Sequence, residues 1–130
     1  MDLRQDAVRV SFEVEIADDD EERARGLMFV EELGLLEGML FVYQDGPRRR
    51  SFWMRNTLIP LDMLFVAADG TVRDIHENAV PLDETPIPSA TDDIVAVLEI
   101  NGGTSAMLGI APGAVLRHPA FGAEAAWPCD

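Results

Sequence analysis

The sequence predicts a mainly β domain: a small closed or nearly closed antiparallel β-barrel of about seven strands with two short helices. Three observations carry that expectation. Residues 8–16 alternate apolar and polar without a break. Short apolar runs then recur along the chain, with Gly, Pro and Asp turn signals between them. Only two stretches show helical spacing, and both are short. A β-sandwich fits the same hydrophobic pattern, and an α+β arrangement stays open.

Val8, Val10, Phe12, Val14 and Ile16 fall on one face of the first strand, with Arg9, Ser11, Glu13 and Glu15 on the other. The acidic run Asp18-Asp19-Asp20-Glu21-Glu22 follows. It lacks the spaced ligands and central glycine of a calcium loop. It reads as a helix N-terminus, with Asp18 and Glu21, or Asp19 and Glu22, as a capping box. Ala24, Leu27 and Met28 supply the apolar stripe of that helix.

Residues 38–43 read as a buried strand, and Asp45-Gly46-Pro47 as a turn. In the segment 52–66, Phe52, Met54 and Asn56 point one way in a strand, with Trp53 and Arg55 opposite. Pro60 has no N–H to give a ladder, so two strands meet there at a bend that leaves backbone groups in need of partners. Asp69-Gly70 is a hairpin signal into the strand 71–80. A proline-rich loop, 81–93, precedes the strand 94–100. Thr104 is placed to cap a single-turn helix that Gly109 ends, with Ile110 and Pro112 beyond it. Residues 114–118 form a short last strand. The tail, 119–130, reads as an irregular wrap anchored by Phe121 and Trp127, around an ordered core of about 8–118.

At 130 residues, the chain suits one domain, 1–130, which needs no metal or disulfide to build a core. Its 24 acidic and 10 basic residues give a net charge of −14. Such a surface repels phosphate backbones, so nucleic acid is not an expected partner. No apolar run approaches the ~18 residues of a membrane span. The single cysteine, Cys129, can form neither an internal disulfide nor a zinc site with partners that are absent. The segment Met1-Asp2-Leu3-Arg4 is not a signal peptide. We expect an exported or periplasmic protein whose leader lies outside this chain.

Two sets of residues are candidates for chemistry. Met28, Met39, Met54 and Met63, with Trp53, are soft enough for cuprous copper, although methionine commonly fills irregular cores. Asn56, Thr57, Asp62 and Glu99 are polar residues within segments that otherwise read as buried. Buried carboxylates need donors, and Arg25, Arg55 and the amides at the Pro60 bend are the expected ones. The outcome is either a paired network that fixes strand register or a pocket. His76 and His118 have no nucleophile in context, so a hydrolytic triad is unsupported. Arg48-Arg49-Arg50 reads as a solvated hairpin tip, or else as an internal counter-charge.

The stretches 23–43, 52–66, 97–103 and 108–113 together resemble the prokaryotic family called domain of unknown function 192. The block Phe52-Trp53-Met54-Arg55-Asn56-Thr57, with Pro60 and Asp62 after it, is the most specific part. The resemblance implies a compact β-rich domain, and a leader in many relatives. The residues Trp127-Pro128-Cys129 resemble the end of secreted members. Its recurring residues fall here on Arg25, Gly26, Leu27, Met28, Gly38, Met39, Phe41, the 52–57 block, Pro60, Asp62 and Glu99. It implies no reaction, cofactor or partner.

The function expected is therefore a non-enzymatic cell-envelope domain that binds a small, anionic ligand or a protein partner, without cofactor or metal. The candidate contacts are Arg25, Trp53, Arg55, Asn56, Thr57, Asp62 and Glu99. The alternatives are a hydrolase using Asp62 or Glu99, and a copper protein using methionine and tryptophan.

Overall fold

A computed structural model describes residues 1–129. In chain order the strands are β1 (Asp2–Gln5), β2 (Val8–Ser11), β3 (Glu13–Ala17), β4 (Glu37–Val42), β5 (Ser51–Phe52), β6 (Leu61–Ala67), β7 (Val72–Ala79), β8 (Ile87–Pro88), β9 (Ile94–Asn101) and β10 (Val115–Arg117). The helices are α1 (Asp20–Arg25) and α2 (Thr104–Leu108), and a 3-10 segment covers Pro119–Glu124. The mainly β class with two short helices stands.

The barrel does not close. The strands fall into a five-stranded sheet of order β3-β4-β9-β6-β7, a three-stranded sheet β10-β1-β2 and the pair β5-β8. The alternating stretch 8–16 breaks at Phe12 into two strands of different sheets. Its even alternation is kept because Val10, Phe12, Val14 and Ile16 all pack on one core cluster. Nor is the fold wholly antiparallel, since β3 pairs with β4 in parallel. The ordered region also starts earlier than residue 8. Leu3 in β1 is fully buried between β10 and β2.

The five-stranded sheet is covered on both faces, and this explains why all seven residues of β6 are buried. Leu64 and Val66 of β6, with Ala96, Leu98 and Ile100 of β9, face a first core cluster that includes Leu3, Phe12, Leu116 and Phe121. Leu61, Met63 and Phe65, with Val97, face a second cluster that includes Leu27, Met39, Phe41, Met54 and Ile87. Side chains alternate between the two clusters with the period of two that a strand imposes.

The helices end as their sequences require, with one exception. Asp19 caps α1 by accepting from the Glu22 N–H at 2.7 Å, while Glu22 accepts from the Asp18 N–H at 3.3 Å. Gly109 ends α2 in the left-handed region, at φ 72°. Thr104, however, does not cap α2: Gly103 holds the cap position, and the buried Thr104 hydroxyl has no partner among the described residues. The tail is anchored as expected. Phe121 enters the first core cluster, and the Trp127 ring lies 4.5 to 4.6 Å from the guanidiniums of Arg117 and Arg4.

Candidate functional site

Helix α1 carries its basic residues, Arg23 and Arg25, in its last turn. Gly26 then turns the chain at φ 50°, and a Cβ there would come 3.1 Å from the Phe41 ring, so the helix end rests directly on β4. The loop beyond is tied to the 53–57 turn by the Phe29 N–H, which donates to the Asn56 carbonyl at 2.8 Å. That turn is tied in the same way to the loop after β7. The Met54 N–H donates to Asp83 at 2.8 Å, and the Leu82 N–H to Thr57 at 3.0 Å. Phe29, Asn56 and Leu82 all sit at positive φ, which bulky residues adopt only when their surroundings enforce it.

Between this triple junction and the sheet lies a cavity of about 210 Å³. Arg25, Trp53, Arg55, Thr57 and Glu99 line it, together with Arg23 and the aromatic residues Phe41, Tyr43 and Phe52. Glu99 lies in mid-strand on β9, opposite Met39 of β4 and Met63 of β6. It is 4% exposed, and among the described residues nothing hydrogen-bonds or ion-pairs with its carboxyl. Burial alone pushes that carboxyl up to about 8, so at neutral pH it holds its proton.

The arginines differ in how far they are engaged. Arg23 donates to the Val42 carbonyl at 2.7 Å and to Asp20 at 2.8 Å. Arg55 lies 5.4 Å from the Trp53 ring and has no ion pair among the described residues. Arg25 is exposed and likewise has none. The expected pairing of Arg25 and Arg55 with Asp62 and Glu99 is thus absent.

Asp62 belongs to a different place. It lies on the same face of β6 as Leu64 and Val66, whereas Glu99 shares the opposite face with Val97. Asp62 is fully buried, and backbone amides alone satisfy it. Its Oδ1 accepts from Asn78 at 2.9 Å and Gly103 at 3.0 Å, and its Oδ2 from Ser105 at 2.9 Å. The Asn78 N–H is turned inward by a bulge in the β6–β7 ladder, with Asn78 at φ 52°. Asp62 is therefore the missing cap of α2, supplied from a distant strand. The carbonyl of Pro60 is not free either, because it accepts from the Gly102 N–H at 2.9 Å. A Cβ at position 102 would approach the Pro60 backbone to 3.1 Å, so a glycine is needed there.

Of the seven sequence candidates, then, five line one cavity. Asn56 stands beside it, with its amide 4.0 Å from Met28 Sδ, and Asp62 stands apart. The pairing of Trp53 with Arg55 comes from stacking within the turn, since β5 ends at Phe52. Of the methionines, Met28 lines the cavity, while Met39, Met54 and Met63 fill the second core cluster. Sequence reasoning missed Arg23 and Tyr43. The signal lay in Tyr43 as the only tyrosine, placed at the end of a buried run. In the basic triplet Arg48 and Arg49 are exposed, as a solvated tip would have them, but Arg50 is not. Arg50 is buried, bonded to Asp45 at 2.8 Å and set 3.8 Å from the Tyr43 ring.

The structure is that of a small β domain with one sheet covered on both faces and an acid-floored cavity under the α1 end. The chain belongs to the family called domain of unknown function 192, described as an uncharacterized ACR, whose model matches residues 1–118. It is similar to a crystal structure of a protein of unknown function from Novosphingobium aromaticivorans DSM 12444, at 50% identity and a TM-score of 0.84, over 88% of this chain and 80% of that one. It is also similar to a Sinorhizobium meliloti 1021 protein described as a candidate transcription regulator, at 43% identity and a TM-score of 0.84, over 88% of both chains. No curated protein matches the chain.

Proposed function

We propose that this is a non-enzymatic cell-envelope domain that binds a small anionic ligand in the cavity under α1. The observation that carries the reading is the pair of guanidiniums, Arg25 and Arg55, that line the cavity with no carboxylate partner among the described residues. In a chain of net charge −14, two such unpaired arginines mark a place where an anion is welcome. A cavity of about 210 Å³ suits a compact molecule, and its aromatic wall suits the apolar part of one. Export to the cell envelope belongs to the same proposal.

A hydrolase reading keeps Glu99 as an acid and loses Asp62, whose two oxygens are occupied by amides. Ser51 and Thr57 line the cavity, but among the described residues no side-chain base hydrogen-bonds either hydroxyl, so binding is favoured over turnover. Direct DNA contact, which the description of the Sinorhizobium relative would suggest, runs against the charge; a gel-shift assay at physiological salt is expected to show none.

The test is calorimetric titration of short carboxylates into the wild-type protein and into Arg25→Ala and Arg55→Ala. Binding that weakens about tenfold or more in each variant is expected. Equal binding by both variants and the wild type would sink the reading.

A further inference from the structure

Resting on that reading, we propose that the ligand is a zwitterion, with its ammonium held by Glu99 and the aromatic wall and its carboxylate held by Arg25 and Arg55. Three features converge on this chemistry. Glu99 is buried and unpartnered, yet it opens on the cavity instead of being sealed in the core. A carboxyl buried without a donor is costly to keep. Asp62, by contrast, shows how this same sheet satisfies a carboxylate that serves structure, with three amides. An ammonium group entering the cavity would give Glu99 the partner that the protein withholds.

The wall fits the same guest. Phe41, Tyr43, Phe52 and Trp53 surround the cavity, and aromatic rings attract cations electrostatically. The protein's own cations already use these rings: Arg50 and Arg23 lie 3.8 and 5.2 Å from that of Tyr43, and Arg55 lies 5.4 Å from that of Trp53. Arg23 also lines the cavity, but Asp20 and the Val42 carbonyl occupy its guanidinium. The charged and titratable groups facing Glu99 are thus Tyr43 from just after β4, Arg23 and Arg25 from α1, and Arg55 from the 53–57 turn. None holds the carboxyl ionised, since desolvation is the one influence on it. A purely anionic ligand would leave Glu99 without a task. A ligand with both charges uses every unpaired group in the cavity.

The test uses two matched pairs of probes. Trimethylglycine is compared with tert-butylacetate, its uncharged-head counterpart, and γ-aminobutyrate with pentanoate. Each is titrated calorimetrically into the wild-type protein and into Glu99→Gln. The ammonium member of at least one pair is expected to bind about tenfold more tightly than its carboxylate-only partner, and Glu99→Gln to erase that advantage. Because an ammonium is matched by ionised Glu99, its affinity for the wild type is also expected to rise with pH toward about 8, by up to about tenfold per unit. That wild-type profile serves even if Glu99→Gln folds poorly. Equal binding within both pairs, or zwitterion affinity that falls with rising pH, overturns the zwitterion and leaves the anion reading standing. Binding of no probe overturns both.

Discussion

Glu99 shows what a single residue can hide from sequence reading. Its burial was legible, because the segment around it is apolar throughout. Its isolation was not, because that depends on Met39 and Met63 being the residues opposite it in the ladders. The consequence for stability follows from the raised titration. Below about 4.5, Glu99 is protonated in folded and unfolded chains alike and adds no pH-dependent cost. Between there and about 8, only the unfolded chain ionises, so stability falls as pH rises, and the loss levels off above that. Glu99→Gln is therefore expected to leave stability nearly unchanged at the acid end and to raise it by a few kcal/mol near the alkaline end. Urea denaturation of both proteins across this range checks it, and a constant offset at every pH would count against the account. Arg25, Trp53 and Arg55 were legible as candidates because a charged or amphipathic residue beside an apolar run is conspicuous. Arg23 and Tyr43 were not, because their place in the cavity depends on how α1 is laid across β4.

At the scale of elements, the informative failure is α2. The sequence around Thr104 reads as a self-capped helix, yet the cap comes from Asp62, more than forty positions earlier in the chain. Sequence patterns reveal local caps and cannot reveal one delivered through a bulge and a strand register. The same register sends Asp62 and Glu99 to opposite faces of one sheet, which separates what looked like a single polar set. Opposite effects are expected from two substitutions here. Asp62→Ala strands three amides, that of Ser105 buried and those of Asn78 and Gly103 partly buried, and is expected to cost about 3–5 kcal/mol, with Asp62→Asn costing less. Thr104→Val replaces a buried hydroxyl that has no partner among the described residues, and is expected to be neutral or mildly stabilising. Chemical denaturation measures both. A loss below about 1 kcal/mol for Asp62→Ala would contradict its role as the α2 cap. The break at Phe12 belongs to this scale too. Alternation continues through it, so nothing in the pattern marks the passage from one sheet to the next.

For the whole molecule, the charge of −14 sets the background against which these sites act. Self-repulsion of this size is screened by salt, so the melting temperature is expected to rise by a few degrees between low and physiological ionic strength. A fall in that temperature would show that ion pairs such as Arg117 with Asp2, at 2.6 Å, outweigh the repulsion. At the acid side, other carboxylates limit stability. The Arg50 hydrogen bond holds Asp45 below the usual range, and Thr91 and Arg73 do the same for Asp93. Their contribution is lost as pH falls, while that of Glu99 is lost as pH rises. Stability should therefore peak in mild acid. The β class, the positions of most strands along the chain and the anchored tail were readable in the sequence, because they rest on local alternation and turn chemistry. Barrel closure was not, because it depends on which edges meet. The zwitterion proposed for the cavity turns on one unpartnered acid, and carboxyl-detected NMR of Glu99 across pH tests it most directly. A midpoint near 8 is expected in the free protein, moving toward lower pH when trimethylglycine or γ-aminobutyrate is bound. A midpoint close to the ordinary glutamate value of about 4.3 would contradict the account.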